Sequence, residues 1–211
     1  MGSKQVLMRL LQEEDRFRQE RSLAARIQKA KLPWSWTLDS FPFDQQPGVN
    51  QSQIRSLAGL FFMDRSENII FIGQPGTGKT GLGVGLLRKA ILNGCSGRFY
   101  SAQNLLDELY ASLADRSTPK LLQSLAKYDL LMIDELGYLT LKSEQVNAFF
   151  KLMDMRYGKK GTIITTNLDF SDWYDLFQRK PLVDALLDRL QHRCVTFRID
   201  GPSLRVPTSG G

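Results

Sequence analysis

The sequence has few of the residues that build disulfides and zinc sites. It contains two cysteines and one histidine among 211 residues. Cys95 and Cys194 lie far apart, and no pair of zinc-ligand spacing accompanies them apart from the lone His192. We therefore expect two buried free thiols and no structural zinc site.

Long apolar runs are also absent from the sequence. No run approaches the roughly 20 residues of a membrane-spanning helix. Residues 1–11 lack the apolar stretch and cleavage site of a secretory signal. The hydrophobic content of 42% and the charged content of 24% are typical of a globular protein. We expect one α/β domain with a short appendage, in the cytoplasm and without a membrane partner.

Positive charge is concentrated near the start of the chain. The net charge is +6, and only Glu20 opposes six basic residues between positions 16 and 31. Leu10, Phe17, Ala24 and Ile27 recur at helical spacings, so we predict an amphipathic helix over residues 6–30 with a basic outer face. The six basic residues are Arg16, Arg18, Arg21, Arg26, Lys29 and Lys31.

The remaining chain alternates between short apolar strands and helices. Prolines and aromatic residues over 32–50 predict an extended aromatic strap, and a helix over 52–62 follows it. Alternation of this kind predicts a parallel sheet with helices on both faces. The predicted strands are 68–72, 98–101, 130–133, 162–166 and 194–199, and the predicted helices are 79–92, 103–113, 119–127, 143–157 and 181–191.

A phosphate-binding loop follows the first strand. Residues 73–80 read GQPGTGKT, which matches the Gly-x-x-x-x-Gly-Lys-Thr pattern between a strand and a helix. Backbone N–H groups and the helix N-terminus would bind the phosphates of a nucleotide. Lys79 would contact the β- and γ-phosphates, and Thr80 would bind a Mg²⁺ ion. Three glycines in the next helix (81, 83 and 85) suggest close packing on the sheet. We assign ATP binding to Gly73, Pro75, Gly76, Thr77, Gly78, Lys79, Thr80 and Gly81.

Two further strands end in polar residues that suit ATP hydrolysis. The apolar run 130–133 delivers Asp134 to the sheet edge as a magnesium ligand, and Glu135 can activate water. Asn167 follows the strand 162–166 and is a candidate sensor of the γ-phosphate. A small-molecule kinase, which shares the phosphate loop, is the alternative, although the Asp134–Glu135 pair suits water as the nucleophile.

With these motifs, the chain resembles the IstB subgroup of AAA+ ATPases, the helpers of insertion-sequence transposition. Less closely it resembles DnaC-type helicase loaders, which remain an alternative function. The resemblance implies a P-loop NTPase of the ASCE class, a three-layer sandwich with a central parallel five-stranded sheet. It rests on the GQPGTGKT loop, LLMIDELGYL at 130–139, ITTN at 164–167, LLDRLQHRC at 186–194 and GPSLR at 201–205.

The resemblance also implies partners and regulatory residues. It implies rings or spirals around duplex DNA, hand-over of that DNA to an IstA-like transposase, and Arg189 as an arginine finger acting on a neighbouring subunit. Arg193 is the alternative finger, and Arg205 is a candidate sensor. We expect only the last helix of the usual N-terminal region and no full C-terminal helical lid. The expected division is 1–50 basic helix and strap, 51–206 ATPase domain and 207–211 tail.

Candidate DNA contacts follow from positive charge together with the ring around duplex DNA that the resemblance implies. Cations that contact phosphates confer affinity without sequence preference, and a solvated helix face is the alternative for each residue. Arg156, Lys159 and Lys160 are expected to face solvent without binding DNA. The candidates are Arg16, Arg18, Arg21, Arg26, Lys29, Arg116 and Lys120.

Overall fold

A computed structural model describes the backbone of residues 3–137 and 139–205. The predicted tail at 207–211 and residue 206 lie outside the described residues. Two short 3₁₀ helices lie at Phe43–Gln45 and Phe170–Asp172. The main elements are α1 (Ser3–Ala30), α2 (Gln51–Leu57), α3 (Phe61–Asp64), β1 (Asn68–Gly73), α4 (Lys79–Leu92), β2 (Gly97–Ser101), α5 (Ala102–Ala111), α6 (Thr118–Lys127), β3 (Leu130–Asp134), α7 (Ser143–Arg156), β4 (Gly161–Thr166), α8 (Trp173–Phe177), α9 (Lys180–His192) and β5 (Cys194–Ile199).

The five strands form one parallel sheet in the order β2-β3-β4-β1-β5. The predicted five-stranded parallel sheet is therefore confirmed. Strand β4 lies between β1 and β3, so β4 separates the strand before the phosphate loop from the strand that ends in Asp134. Since all the strands are parallel, their carboxyl ends meet at one edge, which gathers the polar residues that follow them.

Helices cover both faces of the sheet because alternate strand residues point to opposite sides. Ile69 and Phe71 face a cluster that contains α2, α3, α4 and the end of α1. Ile70 and Ile72 face a second cluster built by α5 to α9. Burying a side chain of this size contributes about 1.5–3 kcal/mol. The two clusters together bury both faces of the sheet.

The glycines of α4 allow close approach on two sides. A Cβ atom at Gly83 would lie 2.5 Å from Met132 Cε, so this glycine packs on the sheet. A Cβ at Gly81 would lie 2.7 Å from the Trp36 ring, and one at Gly85 would lie 2.9 Å from Leu38. Packing on the sheet thus explains one glycine, while the other two make room for the strap.

Two sequence predictions about helices need correction. The helix predicted over 52–62 is broken into α2 and α3, because Leu60 adopts a left-handed backbone with φ of 61°. Among the described side chains of α1, the predicted apolar face packs near the end of the helix, where Leu23 and Ile27 lie against the core and Ala30 is buried in it. Leu10 and Phe17 are 58% and 57% exposed. Helix α8 was not predicted, because its five residues are too few to show a helical period.

Arg156 is the clearest departure from the predicted solvent-facing cations. Its side chain is only 1% exposed. The guanidinium donates to the carbonyls of Leu125, Tyr128 and Gly161 and to the Thr162 hydroxyl. Burial lowers its pKa to about 10, and the backbone carbonyls compensate the lost water. Arg156 therefore joins α6, α7 and β4, a structural role.

The two ends of the described chain differ. Residues 200–205 follow β5 without forming a helix. Helix α1 runs for 28 residues and is supported by exposed i,i+4 ion pairs between Arg18 and Glu14 and between Arg16 and Glu20. The domain division at residue 50 stays a prediction. In the part of the chain that the structure describes, no helix is long and apolar enough to cross a membrane.

Candidate nucleotide-binding site

The phosphate loop connects β1 to α4 in a tight turn. Gly76 and Gly78 have φ angles of 86° and 90°, a left-handed backbone that favours glycine. The Lys79 ammonium donates to the carbonyls of Gly73 and Gln74, each at 2.7 Å. Lys79 therefore lies at the centre of the loop, at the N-terminus of α4, where an anion is favoured.

Thr80 and Asp134 meet across the sheet edge. The Thr80 hydroxyl donates to Asp134 Oδ1 at 2.9 Å and lies 3.2 Å from Oδ2. Asp134 is buried at the end of β3. Hydroxyl and carboxylate oxygens are the ligands that Mg²⁺ prefers, and a Mg²⁺ ion bound with nucleotide needs only one or two protein carboxylates. The donor set therefore fits a magnesium ion held jointly with phosphates.

Burial perturbs both charged groups of this pair. Burial raises the pKa of Asp134, while hydrogen bonds from Thr165 and Thr80 oppose the shift. Burial also lowers the pKa of Lys79, and the nearby carboxylates of Asp134 and Glu135 oppose that shift. Desolvation disfavours the charged form of each group, so each gains from a partner of opposite charge. A metal ion beside Asp134 and a triphosphate beside Lys79 would supply these partners.

Glu135 adopts a strained backbone next to Asp134. Its φ is 58° and its side chain is exposed. A left-handed backbone at a non-glycine residue costs about 1–2 kcal/mol. Two hydrogen bonds to Thr165 stabilise this conformation of the chain. The Glu135 N–H donates to Thr165 Oγ1 at 2.9 Å, and the Leu136 N–H donates to the Thr165 carbonyl at 2.9 Å. This strained turn projects the Glu135 carboxylate into solvent at the sheet edge.

Thr165 is a site residue that the sequence analysis missed. Its hydroxyl donates to Asp134 Oδ1 and accepts from the Glu135 N–H. One hydroxyl thus orients both acidic residues, from a strand that is distant in sequence. A threonine near the end of a buried strand was the available signal, but threonine is common in strands.

Asn167 lies at the same edge as the acids. It lines a cavity of about 310 Å³ together with Lys79, Asp134 and Glu135. A Cβ atom on Gly137 would lie 2.4 Å from the Asn167 amide oxygen, so Gly137 leaves room for this side chain. The structure therefore brings together the predicted lysine, both acids and the amide.

A second cavity of about 370 Å³ opens on the other side of the phosphate loop. Trp34 and Trp36 stack with ring centroids 5.0 Å apart, and both are about half exposed. Arg205 lies in the same cavity as Lys79. Aromatic and apolar walls beside a phosphate loop suit a flat, partly apolar group. The walls are formed by Trp34, Trp36, Thr37, Ser40, Phe41, Pro42, Pro75, Gly76, Gly78, Lys79, Thr80, Gly81, Glu135, Leu204 and Arg205.

The two candidate fingers lie far from the phosphate loop of their own chain. Arg189 pairs with Asp154 at 3.0 Å, rather than with Asp188, and lines a small cavity with Asn68 at the start of β1. Six residues of strand span about 20 Å, so Arg189 cannot reach the loop at the other end of β1. The Arg193 guanidinium donates to the Arg65 carbonyl. The finger role for either residue stays a prediction.

The candidate DNA contacts fall on two layers of the molecule. Arg16, Arg18 and Arg21 are exposed on α1, whereas Arg26 is half-buried. Lys29 is exposed at the end of α1, and its carbonyl accepts from Arg98 at 2.7 Å. The opposite helical layer carries Arg116 and Lys120, both exposed.

The two cysteines are free thiols, and only their burial differs from the prediction. Cys95 and Cys194 are both free, as predicted, but each is half-buried rather than fully buried. Within residues 3–137 and 139–205, no group of three or more His, Cys, Asp or Glu residues gathers as a metal site.

Comparison with known proteins assigns the chain to a family. A family described as IstB-like ATP-binding proteins matches residues 1–210. A predicted ATP-binding protein of insertion sequence IS21 from Pseudomonas aeruginosa is 38% identical over 206 residues, which cover 98% of this chain and 78% of that protein. A predicted ATP-binding protein of insertion sequence IS5376 from Geobacillus stearothermophilus is 37% identical over 202 residues, or 96% of this chain and 80% of that protein.

Solved structures agree with the fold. A crystal structure of the DnaC helicase loader has a TM-score of 0.68 and 26% identity, over 81% of this chain and all of that chain. A DnaA replication initiator bound to AMPPCP and single-stranded DNA has a TM-score of 0.66 at 20% identity, over 82% of this chain and 52% of that one. The second likeness concerns the fold alone. The chain has the AAA+ P-loop fold and belongs to the family of IstB-like ATP-binding proteins of insertion sequences.

Proposed function

We propose that this protein hydrolyses ATP with Mg²⁺. The observation that carries the proposal is the convergence of Thr80, Asp134 and Thr165 beside Lys79, through hydrogen bonds that leave Glu135 projecting from the edge. Thr80 and Asp134 would hold Mg²⁺, which would neutralise negative charge on the phosphates. Lys79 binds the β- and γ-phosphates, and loop N–H groups surround them.

Each residue at the edge has a separate part in the proposed hydrolysis. Glu135 accepts a proton from the attacking water, which it can reach because its side chain is exposed beside the cavity that Lys79 lines. Asn167 donates a hydrogen bond to the γ-phosphate or the water without adding negative charge. Thr165 holds Asp134 and Glu135 in their relative positions. This division suits transfer to water better than transfer to a metabolite, so a small-molecule kinase is the weaker alternative.

The aromatic cavity would take the nucleoside part of ATP. Its position on the far side of Gly78 and Gly81 places it next to the start of α4 and the loop. Trp36 and Phe41 offer apolar ring surfaces to a base, and Arg205 adds positive charge close to Lys79. The strap would therefore form one wall of the ATP site.

We further propose that the protein assembles on duplex DNA with ATP and acts with a transposase of the IstA kind. Membership in an insertion-sequence family and the exposed arginines of α1 support this proposal. A neighbouring subunit would contribute Arg189 to the γ-phosphate, since Arg189 cannot reach its own loop. An arginine supplied in trans couples hydrolysis to assembly.

Helicase loading is the alternative for the same machinery. The similarity to DnaC at 26% identity favours it, whereas the more similar relatives, at 37% and 38% identity, belong to insertion sequences. The two functions differ in the partner: a transposase in one and a replicative helicase in the other. Co-purification of ATP-bound assemblies with each candidate partner separates them.

The assembly proposal is tested by measuring the size of the protein on a duplex of about 60 base pairs. Light scattering after size exclusion would compare ATP, ADP and no nucleotide. We expect large DNA-bound assemblies with ATP alone, dissociating steeply as salt rises. A monomer under all three conditions, or binding that is insensitive to salt, would contradict the proposal.

A further inference from the structure

Gln46 connects three segments that are distant in sequence. It lies in the strap, and its side chain is fully buried. Its amide nitrogen donates to the carbonyl of Thr77 in the phosphate loop at 3.2 Å and to the carbonyl of Pro202 at 2.9 Å. One side chain thereby fastens the strap to both the loop and the segment after β5.

The amide orientation of Gln46 follows from its partners. Both partners are carbonyl oxygens that can only accept, so the NH₂ group must face them. The amide oxygen is then buried and has no donor among the described residues. It faces Gly201, where a Cβ atom would lie 1.6 Å from it. A buried acceptor without a donor is unfavourable. Filling the space alone therefore does not explain why the residue at this position is a glutamine.

The segment after β5 makes a second, independent contact with the loop. The Leu204 N–H donates to the Gly76 carbonyl at 2.9 Å. Ser203 packs on Gly76 so closely that a Cβ atom there would lie 2.1 Å from the Ser203 hydroxyl. The carbonyls of Gly76 and Thr77, consecutive residues, are therefore both held from the side of the strap and residues 201–205.

Holding these carbonyls sets the direction of the loop N–H groups. In a planar trans peptide the C=O and the following N–H point in opposite directions. Fixing the Thr77 carbonyl therefore fixes the direction of the Gly78 N–H. Phosphate loops bind anions through such N–H groups, and a loop that is already oriented loses less entropy when ATP binds.

We propose that Gln46 is a positioning residue for ATP: it orients the phosphate loop through Thr77 and locks residues 201–205 beside the site. The inference rests on the proposed function of the site as an ATP site. It assigns a role in nucleotide affinity to a residue that contacts neither metal nor phosphate.

The first test compares Gln46→Met with Val49→Ala. Methionine keeps the length of the side chain but removes both hydrogen bonds, whereas Val49 is a buried strap residue without a side-chain contact to the loop recorded in the structure. We expect Gln46→Met to raise the Kd for ATP about tenfold, while turnover at saturating ATP stays within about twofold. Val49→Ala should lower the melting temperature without changing the Kd.

The second test uses Gly201→Ala, which crowds the Gln46 amide without removing any group from the loop. Alone it should raise the Kd for ATP severalfold. Combined with Gln46→Ala, which removes the crowded oxygen, it should add almost nothing further. Additive effects would contradict contact between these two residues as the cause.

The outcomes separate the two proposals. If the unchanged protein binds no ATP in calorimetry, the proposed function fails and Gln46 has no such role. If the unchanged protein binds ATP and Gln46→Met binds it equally well, the ATP site stands and only the positioning role is overturned. A loss of affinity in Val49→Ala as large as that in Gln46→Met would also overturn it, because general destabilisation of the strap would then explain both.

Discussion

Charged side chains are buried at the carboxyl edge of the sheet but exposed on helix α1. At the edge, Lys79 and Asp134 are buried and bonded to other groups of the chain. On α1, the cations Arg16, Arg18 and Arg21 face solvent beside Leu10 and Phe17, which are also exposed. The edge is therefore organised by this chain alone, whereas α1 exposes charge and apolar surface to solvent.

This difference separates the part of the proposed function that one chain can carry out from the part that needs DNA or a neighbouring subunit. Binding of ATP needs only groups that a single chain already places together. Contact with DNA and the finger role of Arg189 depend on a second molecule. Variants at the edge should act on isolated subunits, and variants of α1 or Arg189 should act only when DNA or neighbouring subunits are present.

Arg189→Ala is one of the two substitutions with the largest expected effect. If Arg189 completes a neighbouring site, turnover in DNA-bound assemblies should fall about a thousandfold, since an arginine supplied in trans contributes 10³–10⁵. ATP affinity of isolated subunits should not change. Asp154→Ala, which breaks the ion pair but keeps the arginine, is the matched control and should stay active. Full activity of Arg189→Ala assemblies, or loss in Arg193→Ala instead, would remove the assignment.

Glu135→Gln should lower kcat by about 10³ while leaving ATP affinity within about twofold. A positioned general base contributes 10²–10⁴ to the rate, and glutamine keeps the shape but cannot accept the proton. A phosphate-release assay would measure the rate, with Glu144→Gln on an exposed part of α7 as control. Unchanged hydrolysis would refute Glu135 as the base.

Lys79→Ala should weaken ATP binding about a hundredfold in isolated subunits. Two charge-assisted hydrogen bonds to phosphate are worth about 3 kcal/mol together. Lys89→Ala, in the exposed last turn of α4, is the control and should bind normally. Calorimetric titration would measure both; equal affinities in the two variants would show that ATP does not use the loop.

The smallest expected change concerns DNA. Substituting alanine for Arg16, Arg18 and Arg21 together should weaken binding of duplex DNA about tenfold, whatever its sequence. The slope of log affinity against log salt should become shallower by about 2.7, or 0.9 for each lost phosphate contact. The same substitution at Lys127, Lys151 and Lys159, all exposed, is the control. An unchanged slope in the α1 variant would show that these three arginines are solvated and do not contact DNA phosphates.

Local patterns in the sequence predict one part of the fold and the site, and contacts between distant segments determine the rest. The strands, the phosphate loop and Asp134 were predictable because apolar runs and glycine spacing are local patterns. Thr165 and Gln46 were not, since their roles come from contacts across 31 and 156 positions in sequence. The sequence predicts a solvent-facing Arg156, because nothing in its neighbours indicates that carbonyls from β4 and from the end of α6 surround it.

The central claim is that Thr80 and Asp134 hold Mg²⁺ against a bound triphosphate, and titration of ATP with and without Mg²⁺ tests it most directly. In the unchanged protein, Mg²⁺ should strengthen binding about tenfold, as one charge-assisted contact would. Thr80→Val keeps the side-chain shape and should lose most of that gain, with little change in affinity for ATP without metal. If Mg²⁺ strengthens binding equally in Thr80→Val, the metal is held elsewhere and the account of this site is wrong.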